Sequence, residues 1–369
     1  MTDILTLIAK VFIFLIGMNI VLWTALSAVR SFVLPRSDSA GLTSTVFLWF
    51  GKIFRLVIRN GDYNRKDRVM AFFAPITLLS MPLFWLMLIM IGYTLMFWVI
   101  SDTLSLREAM VMSGSSLMTL GFKFTDEMPV ILLAFSEAAL GMMAVALLIG
   151  YLPTMYSAFS EREKLVTRLG MLAGEPAEIV WLFNILNISQ VIYDENRMAT
   201  FWQDWQDWFA SLQESHTTLA PLNFFRSPTP ERSWLVAAGV VLEAASLYAS
   251  TVDVPRSAQA GIVIRSGTNA LSSIADFFHI THDKNPLPTD PISITQEEFN
   301  SMYDRLAEVG IPLRPDREQC WHDYAGWRVN YDITLLRLAT LTMTPYCEWV
   351  SDRSPSTLKR RELVFDKGV

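Results

Sequence analysis

The stretch "SGSSLMTLGFK", residues Ser113–Lys123, lies between two long apolar segments and decides how the fold is interpreted. Its first half is rich in serine, and its second half reads Thr-Leu-Gly-Phe and ends in lysine. Non-helical backbone at membrane depth must be enclosed by protein or line a water-filled pore, because lipid offers no hydrogen bonds. The meaning of this stretch therefore depends on whether the flanking segments cross a membrane.

The chain of 369 residues has an uneven composition. It is 52% apolar with a mean hydropathy of +0.32, which favours membrane segments. The formal charge of −6 and the pI near 5.4 argue against nucleic-acid binding, because such proteins carry a basic face. Apolar residues concentrate before Tyr156, and polar residues mix freely after it. We predict an all-α protein with a transmembrane pore domain over residues 1–156 and a cytoplasmic helical domain over residues 157–369.

The two cysteines, Cys320 and Cys347, lie outside any CxxC or Cys/His array. A disulfide framework or a zinc module is therefore not expected. Free thiols in a reducing compartment are the prediction.

Three segments are long enough to cross a bilayer, which takes about 20 apolar residues. They are residues 4–28, 72–100 and 130–156. A cleaved signal peptide is the alternative for the first segment, but that segment lacks a basic start and its apolar core is too long. We therefore predict three transmembrane helices.

The charges of the loops predict the orientation of these spans. Residues 30–68 hold eight basic and three acidic side chains, whereas residues 101–127 hold two basic and four acidic ones. Because basic loops stay in the cytoplasm, the N-terminus and residues 101–127 are predicted outside, and the chain after Tyr156 inside.

A basic apolar stretch precedes the second span. Lys52, Arg55 and Arg59 recur there at three- and four-residue spacing among apolar residues. This pattern predicts an amphipathic helix in the headgroup layer.

A short helix is predicted over residues 105–118, between the second and third spans. Ser105 followed by Glu108 three residues later is typical of a capping box. The helix would be mostly apolar through Leu106, Ala109, Met110, Met112 and Leu117.

Span, short helix, Thr-Leu-Gly-Phe and a second span resemble the pore module of the tetrameric potassium-channel-like superfamily, whose filter is commonly written TVGYG. The resemblance covers residues 72–163 and implies a homotetramer in a bacterial inner membrane. It implies K⁺ or another monovalent cation as the permeant ion, no cofactor, and a regulatory ligand that the sequence does not name. The filter would consist of Thr119, Leu120, Gly121 and Phe122.

The residue types suit this chemistry. A dehydrated cation needs several oxygens in place of water, and four chains around one axis can offer rings of backbone carbonyls. Gly121 allows the positive φ that turns successive carbonyls the same way. Thr119 would add the innermost ring, and Ser115, Ser116 and Phe122 would pack behind the filter.

Lys123 departs from the family, which has a second glycine at this position. A left-handed backbone costs a lysine about 1 kcal/mol or more, and four ammonium groups at the outer mouth would repel cations unless neutralised. Asp126, Glu127 and Glu137 are the carboxylates predicted to modulate the mouth. Loosened selectivity follows, and Lys123→Gly should raise the cation current. The alternative is a short amphipathic loop in which Gly121 is a turn residue.

The third span is predicted to act as a gate. Gly141 and Gly150 are expected bend points, and Pro153 is an expected kink near the cytoplasmic end. Met142, Val145, Leu148 and Ile149 would form an apolar constriction. The alternative is an ordinary membrane helix whose small residues serve packing.

Glu137 is the only charged residue of the third span. Because a charge is costly in lipid, it should face protein or water. We expect it to bond to the serines of the short helix or to pair with Lys123, and Glu137→Gln should destabilise the tetramer.

The second half contains little candidate chemistry. Trp202, Trp205 and Trp208 recur every three residues and predict core or subunit contact rather than a ligand cage. Residues 233–250 are largely apolar but predict a buried helix, and residues 320–343 predict one long amphipathic helix. Asp276, His279, His282 and Asp283 form only a weak metal motif.

No P-loop, GxGxxG or nucleophile elbow is visible, so the protein is not predicted to be an enzyme. The sequence favours a pore-loop cation channel. Its alternatives are a non-conducting membrane receptor built on the same scaffold, which Lys123 would favour, and a membrane-anchored enzyme.

Overall fold

The computed structural model describes residues 2–32, 42–57, 63–123, 125–255 and 258–353. Within these ranges the regular structure is helical, apart from one isolated antiparallel bridge between Val252 and Leu313. The helices are α1 Thr2–Phe32, α2 Leu42–Val57, α3 Tyr63–Ala71, α4 Phe73–Ile100, α5 Leu106–Leu117, α6 Met128–Ala173, α7 Ile179–Ile188, α8 Glu195–Thr218, α9 Trp234–Thr251, α10 Ala258–Phe277, α11 Gln296–Glu308, α12 Arg317–Arg328 and α13 Asp332–Thr342. A 3₁₀ turn spans Ala220–Phe224. The all-α prediction is confirmed.

Four helical segments in the described part of the chain are long and apolar enough to cross a membrane. They are Ile4–Arg30, Asp67–Ile100, Met128–Ala173 and Trp234–Thr251. The first three include the predicted spans, and they indicate a membrane protein. The fourth is 94% buried inside the structure, so the prediction of a buried helix there is confirmed.

The chain divides into two compact units. The first contains residues 1–60 and 72–156, and the second contains residues 61–71 and 157–369. The short helix α3 therefore packs with the second unit, although it directly precedes α4 in sequence. α6 contributes residues to both units. It continues as one helix through Pro153.

Two glycines let α1 and α4 approach closely in the first unit. A Cβ on Gly17 would lie 2.6 Å from the carbonyl oxygen of Gly92, and a Cβ on Gly92 would lie 2.8 Å from that of Gly17. Small residues at such a crossing let helix backbones pack tightly where no hydrophobic effect drives association. The Lys10 ammonium pairs with Asp102, so the start of α1 lies beside the end of α4.

The predicted amphipathic helix corresponds to α2, which packs along the first half of α4. The Phe50 ring lies 6.4 Å from that of Phe84, and the Phe54 ring lies 5.4 Å from that of Phe73. Arg59 lies outside the described residues, and the headgroup location of α2 stays a prediction.

α9 forms the centre of the second unit and is enclosed by other helices, including α8, α10 and α12. Trp202, Trp205 and Trp208 of α8 are all buried in this core, which confirms the prediction of core packing.

The single long helix predicted over residues 320–343 is wrong, because α12 ends at Arg328 and α13 begins at Asp332. The Asn330 side chain donates hydrogen bonds to the carbonyls of Gly326 and Trp327 at 2.9 and 3.0 Å. These bonds satisfy carbonyls at the end of α12 and so terminate it.

Candidate functional site

The site is built from the start of α5 to the middle of α6. α5 begins with the predicted capping box, which the structure confirms. The Ser105 hydroxyl accepts the Glu108 N–H at 3.3 Å, and Glu108 Oε2 accepts the Ser105 N–H at 3.0 Å. The hydrogen bond from the Ser105 N–H is the main cause of a lowered pKa for Glu108. The hydrogen bond from the Ser105 hydroxyl and the charge of the Lys123 ammonium lower this pKa further.

The chain reverses direction where α5 ends. The Thr119 N–H donates to the Ser116 carbonyl at 3.0 Å, and the Leu120 N–H donates to the Ser115 carbonyl at 2.8 Å. Further on, the Lys123 N–H donates to Ser115 Oγ at 3.3 Å, so the loop runs back beside the helix that it has just left.

The backbone of this loop alternates in handedness. Thr119 has φ of 53° and Gly121 has φ of 72°, whereas Leu120 and Phe122 have no positive φ. The sequence predicted the positive φ at Gly121 only. A left-handed threonine costs about 1–2 kcal/mol, so the surrounding hydrogen bonds hold Thr119 in this conformation.

The carbonyl oxygens of the loop differ from the N–H groups of Thr119 and Leu120, which are hydrogen-bonded. Among the residues that the structure describes, the carbonyl oxygens of Thr119, Leu120, Gly121 and Phe122 accept no hydrogen bond. All four residues are exposed, and the side chains of Leu120 and Phe122 are 62% exposed. Phe122 is exposed in the single chain, and its packing behind a four-chain filter stays a prediction, whereas Ser115 is buried and accepts the Lys123 N–H.

Lys123 pairs with a carboxylate that the sequence analysis did not select. Its Nζ lies 3.6 Å from Glu108 Oε1, and Glu108 was not among the carboxylates expected to pair with it. Lys123 has no positive φ. Its backbone therefore does not adopt the left-handed conformation expected of the second glycine in the TVGYG filter that this loop resembles. The sequence signal for this pair was the capping box, which fixes one Glu108 oxygen and leaves the other for a partner.

None of the carboxylates predicted at the mouth pairs with Lys123 in the described part of the chain. Glu127 Oε1 accepts the Ser101 and Thr103 hydroxyls at 2.8 and 2.9 Å, which ties the loop to the end of α4. Asp126 is exposed, and no hydrogen bond or ion pair joins it to another described residue.

Glu137 makes the first of its two predicted contacts. Its Oε1 accepts the Ser113 hydroxyl at 2.5 Å, and Ser113 Oγ also lies 3.1 Å from the Met90 carbonyl oxygen. The Glu137 side chain is fully buried, and its Oε2 finds no partner among the described residues. The carboxylate of α6 therefore binds α5 directly, and Lys123 is not its partner.

Gly141 lies one turn after Glu137. A Cβ there would lie 2.2 Å from the carbonyl oxygen of Leu117, so only glycine allows α5 to end against α6. Close packing is thus one reason for glycine at position 141, and its role as a bend point stays a prediction. Gly150 has no atom within 4 Å of such a Cβ and meets no packing demand of this kind.

The remaining residues predicted to form a gate lie on the second half of the α6 segment in the first unit. Met142, Val145 and Ile149 are exposed, Leu148 is half-buried, and Pro153 is exposed inside the helix.

Metal-binding chemistry has no support in the described residues, where no group of three or more histidine, cysteine or acidic side chains is found. His282 Nε2 lies 3.9 Å from Asp276 Oδ1, and Lys284 Nζ donates to Asp276 Oδ2 at 2.7 Å. Both cysteines are buried free thiols.

Comparison with protein-family models, curated proteins and solved structures found no match for this chain. The functional assignment therefore depends on the geometry of the site.

Proposed function

We propose that the chain is one subunit of a homotetrameric pore-loop channel that passes monovalent cations through a cell membrane. The backbone of Thr119 to Phe122 carries this proposal. Left-handed residues alternate along it, and its carbonyl oxygens accept no hydrogen bond among the described residues. Rings of such oxygens from four chains can replace the hydration shell of a cation.

The exposed apolar side chains around the loop support assembly. Met118 is 49% exposed, and Leu120 and Phe122 are more exposed still. Large exposed apolar groups beside open backbone mark an interaction site. Three further copies of the chain would cover them and bring the carbonyl oxygens to a common axis.

One face of α6 supports a role in lining or closing the pore. Exposed residues recur along it with alternating four- and three-residue spacing, which is the spacing of helices that pack on other helices. They are Met128, Leu132, Phe135, Ala139, Met142, Ala146, Ile149 and Pro153. In the proposed channel this face lies against other subunits and the conduction path. The apolar residues from Met142 onward close the conduction path by excluding water.

In this proposal the rest of the chain regulates the channel. Residues 157–369 form a cytoplasmic domain that sets gating or assembly, and the N-terminus lies outside the cell, as the charges of the loops predict. The membrane is the plasma membrane of a bacterial cell.

A non-conducting receptor is the second candidate function, and Lys123 favours it. A lysine replaces the glycine that would extend the alternating backbone, so the outermost ring of oxygens is altered. A receptor of this kind would keep the tetramer without ion flux.

The test uses Gly121→Ala in the full-length protein reconstituted into liposomes. A Cβ at Gly121 meets no atom within 4 Å, so the change acts through the backbone alone. A left-handed alanine costs about 1–2 kcal/mol, and we expect K⁺ flux to fall by about tenfold. Gly114→Ala in α5 is the matched control, because its Cβ meets only Met90 Sδ at 3.9 Å, and it should keep the flux.

Native mass spectrometry of the same samples should show four chains. A monomer or dimer, or equal K⁺ flux through wild type and Gly121→Ala, contradicts the channel. A tetramer that carries no flux, either as wild type or as Lys123→Gly, supports the receptor instead.

A further inference from the structure

The outer end of the Thr119–Phe122 loop is held by side chains. Lys123 lacks the left-handed backbone that glycine would supply, and its N–H is bound by Ser115 Oγ. What this residue does at the mouth is therefore decided by where its ammonium group lies.

Glu108 is prepared to receive that ammonium. The capping box holds its Oε2 on Ser105, at 3.0 Å from the N–H and 2.8 Å from Oγ. This leaves Oε1 facing Lys123 Nζ at 3.6 Å, and the side chains of Lys123 and Glu108 are 34% and 47% exposed. A carboxylate already fixed on one side loses less rotamer freedom on pairing than a free one.

The other carboxylates near the loop do not form an ion pair with Lys123 in the described part of the chain. Glu127 is bound by the Ser101 and Thr103 hydroxyls, and Glu137 is bound by Ser113. Asp126 makes no ion pair with a described residue.

We propose that Glu108 controls the entry of cations into the pore, because it holds the Lys123 ammonium against the start of α5 and away from the path of entering cations. This inference rests on the proposed channel function. Four unpaired ammonium groups around one axis would repel cations, whereas four neutralised pairs leave the exposed Asp126 carboxylates to set the charge of the mouth.

Flux measurements test the role of the pair. Glu108→Gln should lower K⁺ flux through the reconstituted full-length protein by about 1.5- to 5-fold in about 0.1 M salt, and less in about 1 M salt, where charges are screened. Adding Lys123→Met to Glu108→Gln should restore the flux to that of Lys123→Met alone. Asp126→Asn is the matched control, and its effect should add to that of Lys123→Met without rescue.

A second readout does not require transport. A zero-length carbodiimide should join the Glu108 carboxylate to the Lys123 amine as an amide, detected by mass spectrometry of the digested protein. Cross-linking of Lys123 to Asp126, or no cross-link at Lys123, overturns the inference whether or not the protein conducts.

The two failures are distinguishable. If the cross-link forms but wild type carries no cation flux, the channel proposal fails, and with it the role of the pair in ion entry. If wild type conducts and Glu108→Gln conducts equally well at both salt concentrations, only the role of Glu108 is overturned.

Discussion

His216 of α8 lies fully buried in the second unit, where its ring packs on Trp234. Its Nε2 lies 3.4 Å from Arg162 Nη1, and its Nδ1 lies 3.1 Å from Ser215 Oγ. Because a guanidinium only donates, Nε2 is the acceptor and the ring is neutral. Burial, and then the charge of Arg162, hold the pKa of His216 well below its usual range.

This lowered pKa predicts acid sensitivity. Unfolded His216 takes up a proton near pH 6.5 and the folded residue does not, so stability is lost as pH falls below about 6.5. We expect the free energy of unfolding to fall by up to about 1.4 kcal/mol per pH unit there. Urea unfolding of wild type and His216→Gln, followed by tryptophan fluorescence, measures the difference. Equal pH slopes in both proteins would refute the assignment.

A second buried group in the same unit is the guanidinium of Arg328. It pairs with Glu243 and Asp332, and all three side chains are buried. The hydroxyls of Tyr324 and Tyr331 donate to the two oxygens of Glu243 at 2.6 and 3.0 Å. One buried guanidinium therefore faces two buried carboxylates, and neutral tyrosine hydroxyls supply further hydrogen bonds to Glu243.

Removing Arg328 should be severe, because it leaves two buried carboxylates without their counter-charge. Arg328→Met should lower the free energy of unfolding by about 3–5 kcal/mol. Arg328→Lys keeps the charge with fewer donors and should have a smaller effect. An unchanged urea midpoint for Arg328→Met would show that the network contributes nothing to stability.

At the scale of elements, α5 and α6 contact each other at two places: a hydrogen bond between side chains and a close approach of the two backbones. Ser113 and Leu117 lie four residues apart on α5, and they face Glu137 and Gly141, which lie four residues apart on α6. Residues four apart share one face of a helix, so the two contacts belong to a single line of packing. That line ends directly before the loop.

Gly141→Ala tests this packing. The added methyl would lie 2.2 Å from the Leu117 carbonyl oxygen, which is backbone and cannot rotate away. We expect a loss of about 1–3 kcal/mol, measured as a lower thermal midpoint in detergent. Gly150→Ala is the matched control in the same helix, where open space and helix propensity predict unchanged or slightly higher stability. Equal loss in both variants would point to a demand for flexibility instead.

At the scale of the whole molecule, the second unit contains two segments that are far apart in sequence. α3 belongs to it, together with the residues after Tyr156. Arg226 Nη1 lies 3.6 Å from Asp67 of α3, and the same guanidinium donates to the carbonyls of Thr342 and Met343 at 2.9 Å each. One side chain thus joins α3 to the end of α13.

Loss of Arg226 should loosen α3. Arg226→Ala should speed tryptic cleavage after Arg68 in the otherwise intact protein, because a held helix is a poor protease substrate. Arg265→Ala removes an exposed arginine of α10 and should leave that rate unchanged. Equal cleavage rates in both variants would mean that other contacts hold α3.

Much of the helical framework could be predicted from local patterns. Long apolar runs indicated α1, α4 and α6, and the capping box at Ser105 marked the start of α5. These signals are local, because helix length, hydropathy and caps depend on residues a few positions apart. The break between α12 and α13 escaped prediction because it depends on Asn330 reaching back to two carbonyls.

The sequence by itself determined the long apolar helices α1, α4 and α6, the start of α5, and the place where a Gly-containing loop follows that short helix. Only the tertiary structure decided the partner of each charged side chain: Glu108 for Lys123, Ser113 rather than Lys123 for Glu137, and Glu243 for Arg328. The reason is physical. A helix forms from interactions within a few residues, whereas the partner of a buried or half-buried charge is chosen by how separate helices pack, and that choice leaves no periodic pattern in the chain.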